Sequence, residues 1–483
     1  MTSSVAACLA SLWWILAEEP GVDRGESIVD APTQVEPSST KPVLGLGAVI
    51  DSVRGKHPLL DAADASIDAA RGRSLAARGA FDPRLRIRGS GTPLGGYRYG
   101  VVDTEVRART VALGMVAFAG WRLGRGDIPV YDGKLATADG GELRAGIELP
   151  VLRDAGIDSP RAQRRKADIE GEIAQIEREA RSLELSRDAA LAYWDWAAAL
   201  SRAEIRERQL RLALDRDAGL RQQIAGGNTA EVEGLDNARV IATREAIVVD
   251  AQRQAQVTGL TLSLFLRDAE GRPVVPTGFA APHPGVAAVI AADSVTADAQ
   301  AARARRPDLR IAAARLRVAA VDVRLAGNQR LPALGLQGYA AKDVGTGAAA
   351  LRPAELGVGV VFELPIPLRT ARGELAVARA VERRIGDERR FLFERAEVEI
   401  RSAYAEMSAA HRRSEIAARQ ASLAERLAQA ERDRLLLGDS TILFVNLREE
   451  AAADAAAAAI DAAADFRKSR ARYHVATGMP PSP

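Results

Sequence analysis

The feature that most constrains the fold of this chain is an internal duplication. Pro58 and Pro307 each open an alanine-rich run, and Pro83 and Pro332 each follow the end of such a run. Both pairs are separated by 249 positions. The same offset aligns further apolar residues and glycines: Leu60 with Leu309, Ile67 with Leu316, Ala77 with Ala326, Leu85 with Leu334, Ile87 with Leu336 and Gly89 with Gly338. Self-similarity at a constant offset predicts a repeated structural unit.

A second alignment follows the first, at an offset of 215 positions. It joins two Glu-Leu-Pro motifs, at residues 148–150 and 363–365, so the first copy is 34 residues longer between its prolines. After these motifs each copy enters a long helical pattern that a glycine interrupts, in Gly227-Asn228-Thr229 and in Gly438-Asp439-Ser440. Each copy is therefore predicted to run helix, strand, strand, long helix, glycine break, helix.

The duplication predicts the organisation of the chain. Residues 48–270 and 285–478 are the two copies, and the proline-rich residues 271–284 link them. Residues 18–47 form an N-terminal linker and residues 479–483 a short tail. Residues 1–17 resemble a signal peptide, because an apolar run from Val5 ends near Ala17 before two acids and a proline.

Cys8 is the only cysteine, so the chain has no intrachain disulfide and no thiolate metal cluster. It follows Val5-Ala6-Ala7, which resembles the cleavage box of a lipoprotein. The apolar stretch should precede such a cysteine, whereas here most of it follows. Signal peptide and lipidated Cys8 therefore stay open as alternatives, and the first is favoured.

Period-two patterns lie just inside the prolines. Leu85 and Ile87 alternate with arginines, and similar alternation crosses residues 141–150 and 356–365. One apolar face is typical of a lipid-facing barrel strand and equally of any half-buried sheet. We expect about four strands per chain. A membrane barrel needs about eight strands, so several chains would have to share one barrel.

The helical segments have narrow apolar seams. Ile169, Ile173, Ile176, Ala180 and Leu183 follow a heptad spacing, which predicts coiled-coil packing. An aromatic content of only 4% suits such seams better than a bulky core. The segment after the first strands spans roughly 65 residues, or about 100 Å as a helix. We expect two shorter helices to stack end to end beside each long one.

The sequence offers little for catalysis or for nucleic acid. Four histidines are scattered without HExxH or CxxC companions, and the net charge is only +2. Ser440, in a Gly-Asp-Ser sequence, is better explained with Asp439 as a helix cap than as a hydrolase nucleophile. We therefore predict no enzyme, no cofactor, no metal and no nucleic-acid partner.

The ordered set of features resembles the TolC family of outer-membrane efflux proteins from Ala48 to Gly478. The resemblance rests on the duplicated unit, on the Glu-Leu-Pro strand ends, on the glycine breaks, and on two helix openings. These openings are His57-Pro58-Leu59-Leu60 and Arg306-Pro307-Asp308-Leu309.

The resemblance implies a mainly α fold with a membrane β-barrel. Long helical hairpins would form an α-barrel across the periplasm, and a homotrimer would share twelve strands, four from each protomer. It also implies an outer-membrane exit duct for efflux or secretion, docked to a periplasmic adaptor (membrane fusion) protein and an inner-membrane RND or ABC-type transporter. The alternative is a periplasmic coiled-coil scaffold or adaptor without a pore, which would share the heptads but has no need of the strands.

The glycine breaks are predicted to form the periplasmic tip, where the adaptor docks. The residues assigned to it are Gly227, Asn228, Thr229, Gly438, Asp439 and Ser440. The family often carries acidic rings just beyond the second glycine, but Phe444 and Leu447 stand there. Glu233 and Asp236 occupy the equivalent positions of the first copy, so they are our candidates for an acidic aperture, or else simply solvate a helix N-terminus.

The 34 additional residues of the first copy concentrate a scarce class of side chain. We expect longer strands and an outer loop there, with aromatic residues at the membrane interface. A small loop core is the alternative. The aromatic residues concerned are Tyr97, Tyr99, Phe118, Trp121 and Tyr131.

Overall fold

The structure is a computed structural model that describes residues 42–129, 134–227, 230–285 and 290–482. The predicted signal peptide with Cys8 lies outside the described residues, as do Asn228, Thr229 and Tyr131. Eight α-helices and six β-strands make up this part of the chain. In chain order they are α1 (Leu46–Lys56), α2 (Pro58–Arg78), β1 (Arg84–Thr92), β2 (Tyr99–Arg109), β3 (Val116–Gly126), β4 (Glu142–Pro150), α3 (Ser159–Ala225), α4 (Glu231–Ser263), α5 (Ser294–Arg305), α6 (Pro307–Asn328), β5 (Ala333–Asp343), β6 (Glu355–Glu363), α7 (Arg369–Leu436) and α8 (Ile442–Ala476).

The helices confirm the predicted duplication. The two copies have helices of 11 and 12 residues (α1, α5), 21 and 22 (α2, α6), 67 and 68 (α3, α7), and 33 and 35 (α4, α8). At 1.5 Å per residue α3 and α7 are each about 100 Å long. None of the helices in the described residues is both long and apolar enough to cross a membrane.

Short helices lie end to end beside each long helix, as predicted. On α3, the α2 residues Ile67 and Ala70 pack against Ala174, whereas Leu262 of α4 packs into the cluster around Tyr193. On α7, α6 and α8 take the corresponding places. Contacts of α3 with α6 and α8 join the two copies. The result is a shaft of parallel and antiparallel helices with alanine-rich seams.

The largest apolar core lies half-way along the shaft, where the ends of the short helices meet. Tyr193 and Trp196 of α3 are buried there against α1, the start of α2 and the end of α4. Pro58 sets the start of α2, because proline fits the first helical position. His57 caps α2 by accepting a hydrogen bond from the Leu59 amide at 3.2 Å. The core thus forms where the ends of short helices need cover.

The six strands form one antiparallel sheet in the order β1-β2-β3-β4-β5-β6. The prediction of four strands is wrong: β1, β4, β5 and β6 were expected, whereas β2 and β3 were not. The additional residues of the first copy fold into a second hairpin inside the sheet. The pattern is weak there because Asp103, Glu105 and Arg107 occupy one face of β2. Their charges are offset by one another and by residues of β3 and β4.

Candidate functional site

Both long helices end in a glycine turn at the end of the shaft away from the sheet. Gly227 has φ +73° and Gly438 has φ +81°, a left-handed conformation that glycine adopts without penalty. After α7, the amide of Gly438 donates to the Leu435 carbonyl at 3.1 Å and that of Asp439 to the Arg434 carbonyl at 2.9 Å. This pair of bonds is a Schellman motif, which satisfies the last carbonyls of the helix.

The prediction that Asp439 and Ser440 cap the returning helix is wrong in detail. Thr441 occupies the N-cap position of α8, and its side chain makes no capping hydrogen bond. The Ser440 hydroxyl instead donates to the Glu431 carboxylate on α7. Arg434 donates to the Asp439 carbonyl at 2.9 Å. This hydrogen bond of Ser440 therefore links the turn to the preceding helix.

The acidic candidates of the first copy lie near the start of α4 and differ in their surroundings. Asp236 forms an exposed ion pair with Arg239 at 2.9 Å, so much of its charge is offset. Glu233 is half-buried and has no ion-pair partner among the residues that the structure describes. Glu233 is thus the stronger source of negative potential of the two.

A buried carboxylate near the tip joins the four helices that reach it, α3, α4, α7 and α8. Glu449 of α8 has only 1% of its side chain exposed, and it contacts arginines from three other helices. These are Arg216 of α3 at 2.5 Å, Arg244 of α4 at 3.2 Å and Arg432 of α7 at 3.5 Å. Arg216 also donates to the Asn446 amide oxygen. Sequence patterning did not identify this cluster.

The charges of this cluster are not balanced. Burial lowers the pKa of Arg244, although the Glu449 carboxylate opposes that effect. Asn237 and Asp217, joined at 3.0 Å, extend the polar contacts between α3 and α4. Removing one member of a buried charge group leaves the others uncompensated, which costs several kcal/mol. The cluster therefore holds the helix pair α3 and α4 to the pair α7 and α8.

The surface of the tip is rich in exposed apolar side chains. Leu436 and Leu437 are 86% and 79% exposed just before the second glycine. Exposed apolar patches of this kind mark interaction surfaces. The others close to the two turns are Val232, Leu235, Leu443, Phe444 and Leu447.

At the opposite end of the shaft, one face of the sheet carries charges that are paired across strands. Asp103 of β2 lies 3.0 Å from Arg122 of β3 and 2.8 Å from Arg144 of β4. Arg144 also reaches Glu105 at 3.3 Å, and Arg107 continues the chain of contacts from Glu105. Cross-strand ion pairs of this kind stabilise a defined register. The face is polar and hydrogen-bonded.

The other face of the sheet is apolar and open. Leu356 and Val358 of β6 are 82% and 86% exposed, and Ile87 of β1 is 67% exposed. The strand register aligns apolar residues in rows across this face, for example Leu85, Val106, Ala119, Ala145, Ala340 and Leu356. An antiparallel sheet that is charged on one face and apolar on the other suits a boundary between water and lipid.

Solved structures of the same architecture include outer-membrane channels. A membrane protein from Pseudomonas aeruginosa matches with a TM-score of 0.62 at 17% identity, over 95% of this chain and 99% of that one. The open MtrE channel of Neisseria gonorrhoeae matches with 0.62 at 17%, over 90% and 89%. VceC of Vibrio cholerae, an outer membrane protein, matches with 0.60 at 18%, over 90% and 97%. No protein-family profile matches the sequence, and neither does a curated protein.

The chain has the TolC-type outer-membrane channel fold. Its two copies, its long hairpins and its terminal sheet are the parts of that fold. Within the described residues, no group of three or more His, Cys, Asp or Glu side chains is placed to hold a metal ion.

The aromatic residues of the TolC-type sheet do not share one environment. Trp121 lies on the apolar face, and its indole nitrogen donates to the Gly140 carbonyl at 2.8 Å. Phe118 lies on the charged face, where the Arg107 guanidinium is 5.6 Å from the centre of its ring. Tyr97 lies in the loop before β2, and Tyr99 begins that strand. Of the four candidates in the described residues, Trp121 is the one whose ring lies on the open apolar face.

The junction between sheet and shaft is organised by Asp158, another residue that sequence patterning missed. Its carboxylate caps α3 by accepting from the Arg161 amide at 2.9 Å, and it pairs with Arg109 at the end of β2 at 3.0 Å. Burial raises the pKa of Asp158, but these hydrogen bonds and charges outweigh burial and lower it. In the TolC-type fold of this chain, Asp158 thus ties the additional hairpin to the shaft.

Proposed function

We propose that the protein is an outer-membrane channel, the exit duct of a tripartite efflux or secretion system. The observation that supports this function best is the union of two parts in one chain. A sheet with one open apolar face suits contact with lipid. Helices about 100 Å long extend from one end of that sheet. A conduit needs both parts, and the proposal includes no chemical step and no cofactor.

The proposed channel is a homotrimer in the outer membrane with a large periplasmic part. Six strands are too few for a membrane barrel, because the smallest of these have eight. An open sheet in lipid would leave the backbone groups of its edges without partners. Several copies must therefore share one barrel, and the TolC-type fold favours three.

The tip is the proposed docking end for a periplasmic adaptor and, through it, for an inner-membrane RND or ABC-type transporter. Gly227 and Gly438 lie at this end, and Leu436 and Leu437 offer apolar surface to a partner. Glu233, repeated by symmetry, would bring negative potential to the aperture, with a smaller share from Asp236. Trp121 is proposed to lie at the membrane interface.

A periplasmic scaffold or adaptor without a pore is the alternative function. It would use the same coiled-coil seams. However, it gives no reason for rows of exposed Leu, Ile and Val side chains across a six-stranded sheet, since such a surface would aggregate in water. The channel accounts for this face and for the charged face behind it.

Three measurements test the proposed function on the full chain extracted in mild detergent. Native mass spectrometry should give a trimer, and the unheated protein should migrate differently from the heated protein on a denaturing gel, as a barrel does. In planar bilayers the trimer should conduct ions. A monodisperse monomer that shows no heat-dependent shift would contradict the channel and favour the scaffold.

A further inference from the structure

The sheet ends in two open edges, β1 and β6, and both are nine residues long. We propose that β1 of one copy pairs along its whole length with β6 of the next copy, so that every copy adds six strands and three copies close an eighteen-stranded barrel. This inference rests on the trimer of the proposed function. It departs from the twelve strands that the family resemblance implies.

The faces of the two edges match when the strands pair end to end. A sheet of six antiparallel strands has edges that run in opposite directions, so β1 and β6 of neighbouring copies meet antiparallel. Arg84 then lies opposite Glu363 on the charged face. On the apolar face Leu85 lies opposite Phe362, and Ile87 opposite Val360. A slip by one residue would place charges against apolar residues, which fixes the register to within two residues.

The charges of the two edges are also complementary. The side chains of Arg84, Arg86 and Arg88 are exposed and have no ion-pair partner among the described residues. In the proposed pairing Arg84 lies opposite Glu363, whose partner among the described residues of its own copy is Arg153, at 3.6 Å. The carboxylates that contact Lys134 lie near the other end of β6, which pairs with Thr92; they are Glu142, Asp343 and Glu355. The opposite charges of Arg84 and Glu363 thus favour pairing between copies.

The stagger of this pairing agrees with the geometry of closed barrels. A line perpendicular to the strands leads from Arg86 across the sheet to Glu355. End-to-end pairing instead places Glu355 opposite Thr92 of the next copy, six residues further along β1. Because each copy of six strands adds a stagger of six residues, the closed barrel has a shear number equal to its number of strands. Strands in a barrel with that ratio are tilted by about 36° from the barrel axis. Barrel strands tilt by about 35–45°.

The additional hairpin has a direct effect on the lumen. With strands about 4.8 Å apart, eighteen strands at this tilt give a backbone cylinder about 34 Å across, against about 23 Å for twelve. Barrels of this strand number enclose an aqueous channel. The hairpin of β2 and β3 thus widens the outer end of the duct and lines it with paired charges.

Disulfide cross-linking tests the pairing. In a Cys8→Ser background that native mass spectrometry shows to be trimeric, Arg86→Cys is combined with Val361→Cys. Oxidation should give dimers and trimers on heated, non-reducing gels, and reductant should remove them. Arg84→Cys or Arg88→Cys with Val361→Cys covers a slip of two residues. Ile87→Cys with Val361→Cys is the matched control, because its cysteines lie on opposite faces and should not cross-link.

A second cysteine pair tests the strand number. Ile87→Cys and Leu143→Cys lie on β1 and β4, with two strands between them in the sheet, so both thiols should stay free to a mass-tagged maleimide. A disulfide within one chain would show that β1 lies beside β4 and would overturn the six-strand wall. Trimers in which no edge pair cross-links would overturn the pairing but not the channel. Monomers would overturn both.

Discussion

Glu449 is the residue whose loss we expect to change the tip most. The change Glu449→Gln keeps the shape of the side chain but leaves Arg244, 4% exposed, without a counter-charge. Breaking a buried ion pair costs about 3 kcal/mol, on the order of a hundredfold in a local opening equilibrium. Hydrogen exchange at residues 442–455 and 231–245 should therefore accelerate.

Glu425 provides the matched control for this change. It contacts the same Arg432 at 2.9 Å, but its side chain is 65% exposed. Exposed ion pairs contribute little to stability, so Glu425→Gln should leave hydrogen exchange at the tip unchanged. Equal protection in the Glu449→Gln and wild-type proteins would show that the cluster does not hold the helices together.

His474, near the end of α8, predicts a loss of stability in acid. Burial, followed by the charge of Arg470, lowers the pKa of His474 below 6.5, although Asp298 raises it. The unfolded chain therefore binds the proton first as the pH falls. The stability from neutral His474 is present above pH 6.5 and is lost as the pH falls below that value toward the folded-state pKa.

The loss should appear as a lower unfolding temperature at pH 5 than at pH 7.5, and His474→Gln should reduce the difference. The pKa of His57 is also lowered, chiefly by burial, so part of the acid sensitivity should remain. An identical pH dependence in variant and wild type would mean that His474 does not contribute.

The negative charge of Glu233 is expected to make the aperture prefer cations. Because Asp236 is paired with Arg239, we expect Glu233→Gln to lower cation selectivity in planar bilayers more than Asp236→Asn does. Reversal potentials across a salt gradient measure this, and trimer yield should be unaffected. Equal selectivity in all three proteins would place both carboxylates outside the conducting path.

At the scale of the elements, the stability of the additional hairpin should depend on the turn between β2 and β3, where the sheet meets the shaft. Gly114 has φ +67°, and a Cβ there would lie 2.8 Å from the Arg161 guanidinium and 2.9 Å from the Asp154 carbonyl. Gly114→Ala should therefore loosen the turn between β2 and β3 by at least about 1–2 kcal/mol, from the backbone conformation alone. Limited proteolysis at residues 110–115 should become faster.

Gly96→Ala is the control for the hairpin, because a Cβ at Gly96 meets nothing within 4 Å and the residue has no positive φ. It should leave the proteolysis pattern unchanged. If Gly114→Ala behaved like Gly96→Ala, the turn would not anchor the hairpin to the shaft.

The elements also show what the sequence could predict. The heptad seam predicted a helix of roughly 65 residues where α3 has 67. Pro58 and Pro307 predicted the starts of α2 and α6. These signals are local, so they can be recognised without the fold. The hairpin of β2 and β3 was missed because Asp103 and Arg144 are acceptable only as a pair, and that pairing exists only once the strands align. Glu449 was missed for the same reason, since its arginines come from three other helices.

At the scale of the whole molecule, the central claim is that copies of this chain assemble into one continuous duct. Single-particle imaging of the full chain extracted in mild detergent tests it most directly. We predict a three-fold particle in which a closed barrel leads into a tube of helices about 100 Å long, with the glycine turns at its far end. A single copy with an open sheet, or an assembly without a central passage, would contradict the account.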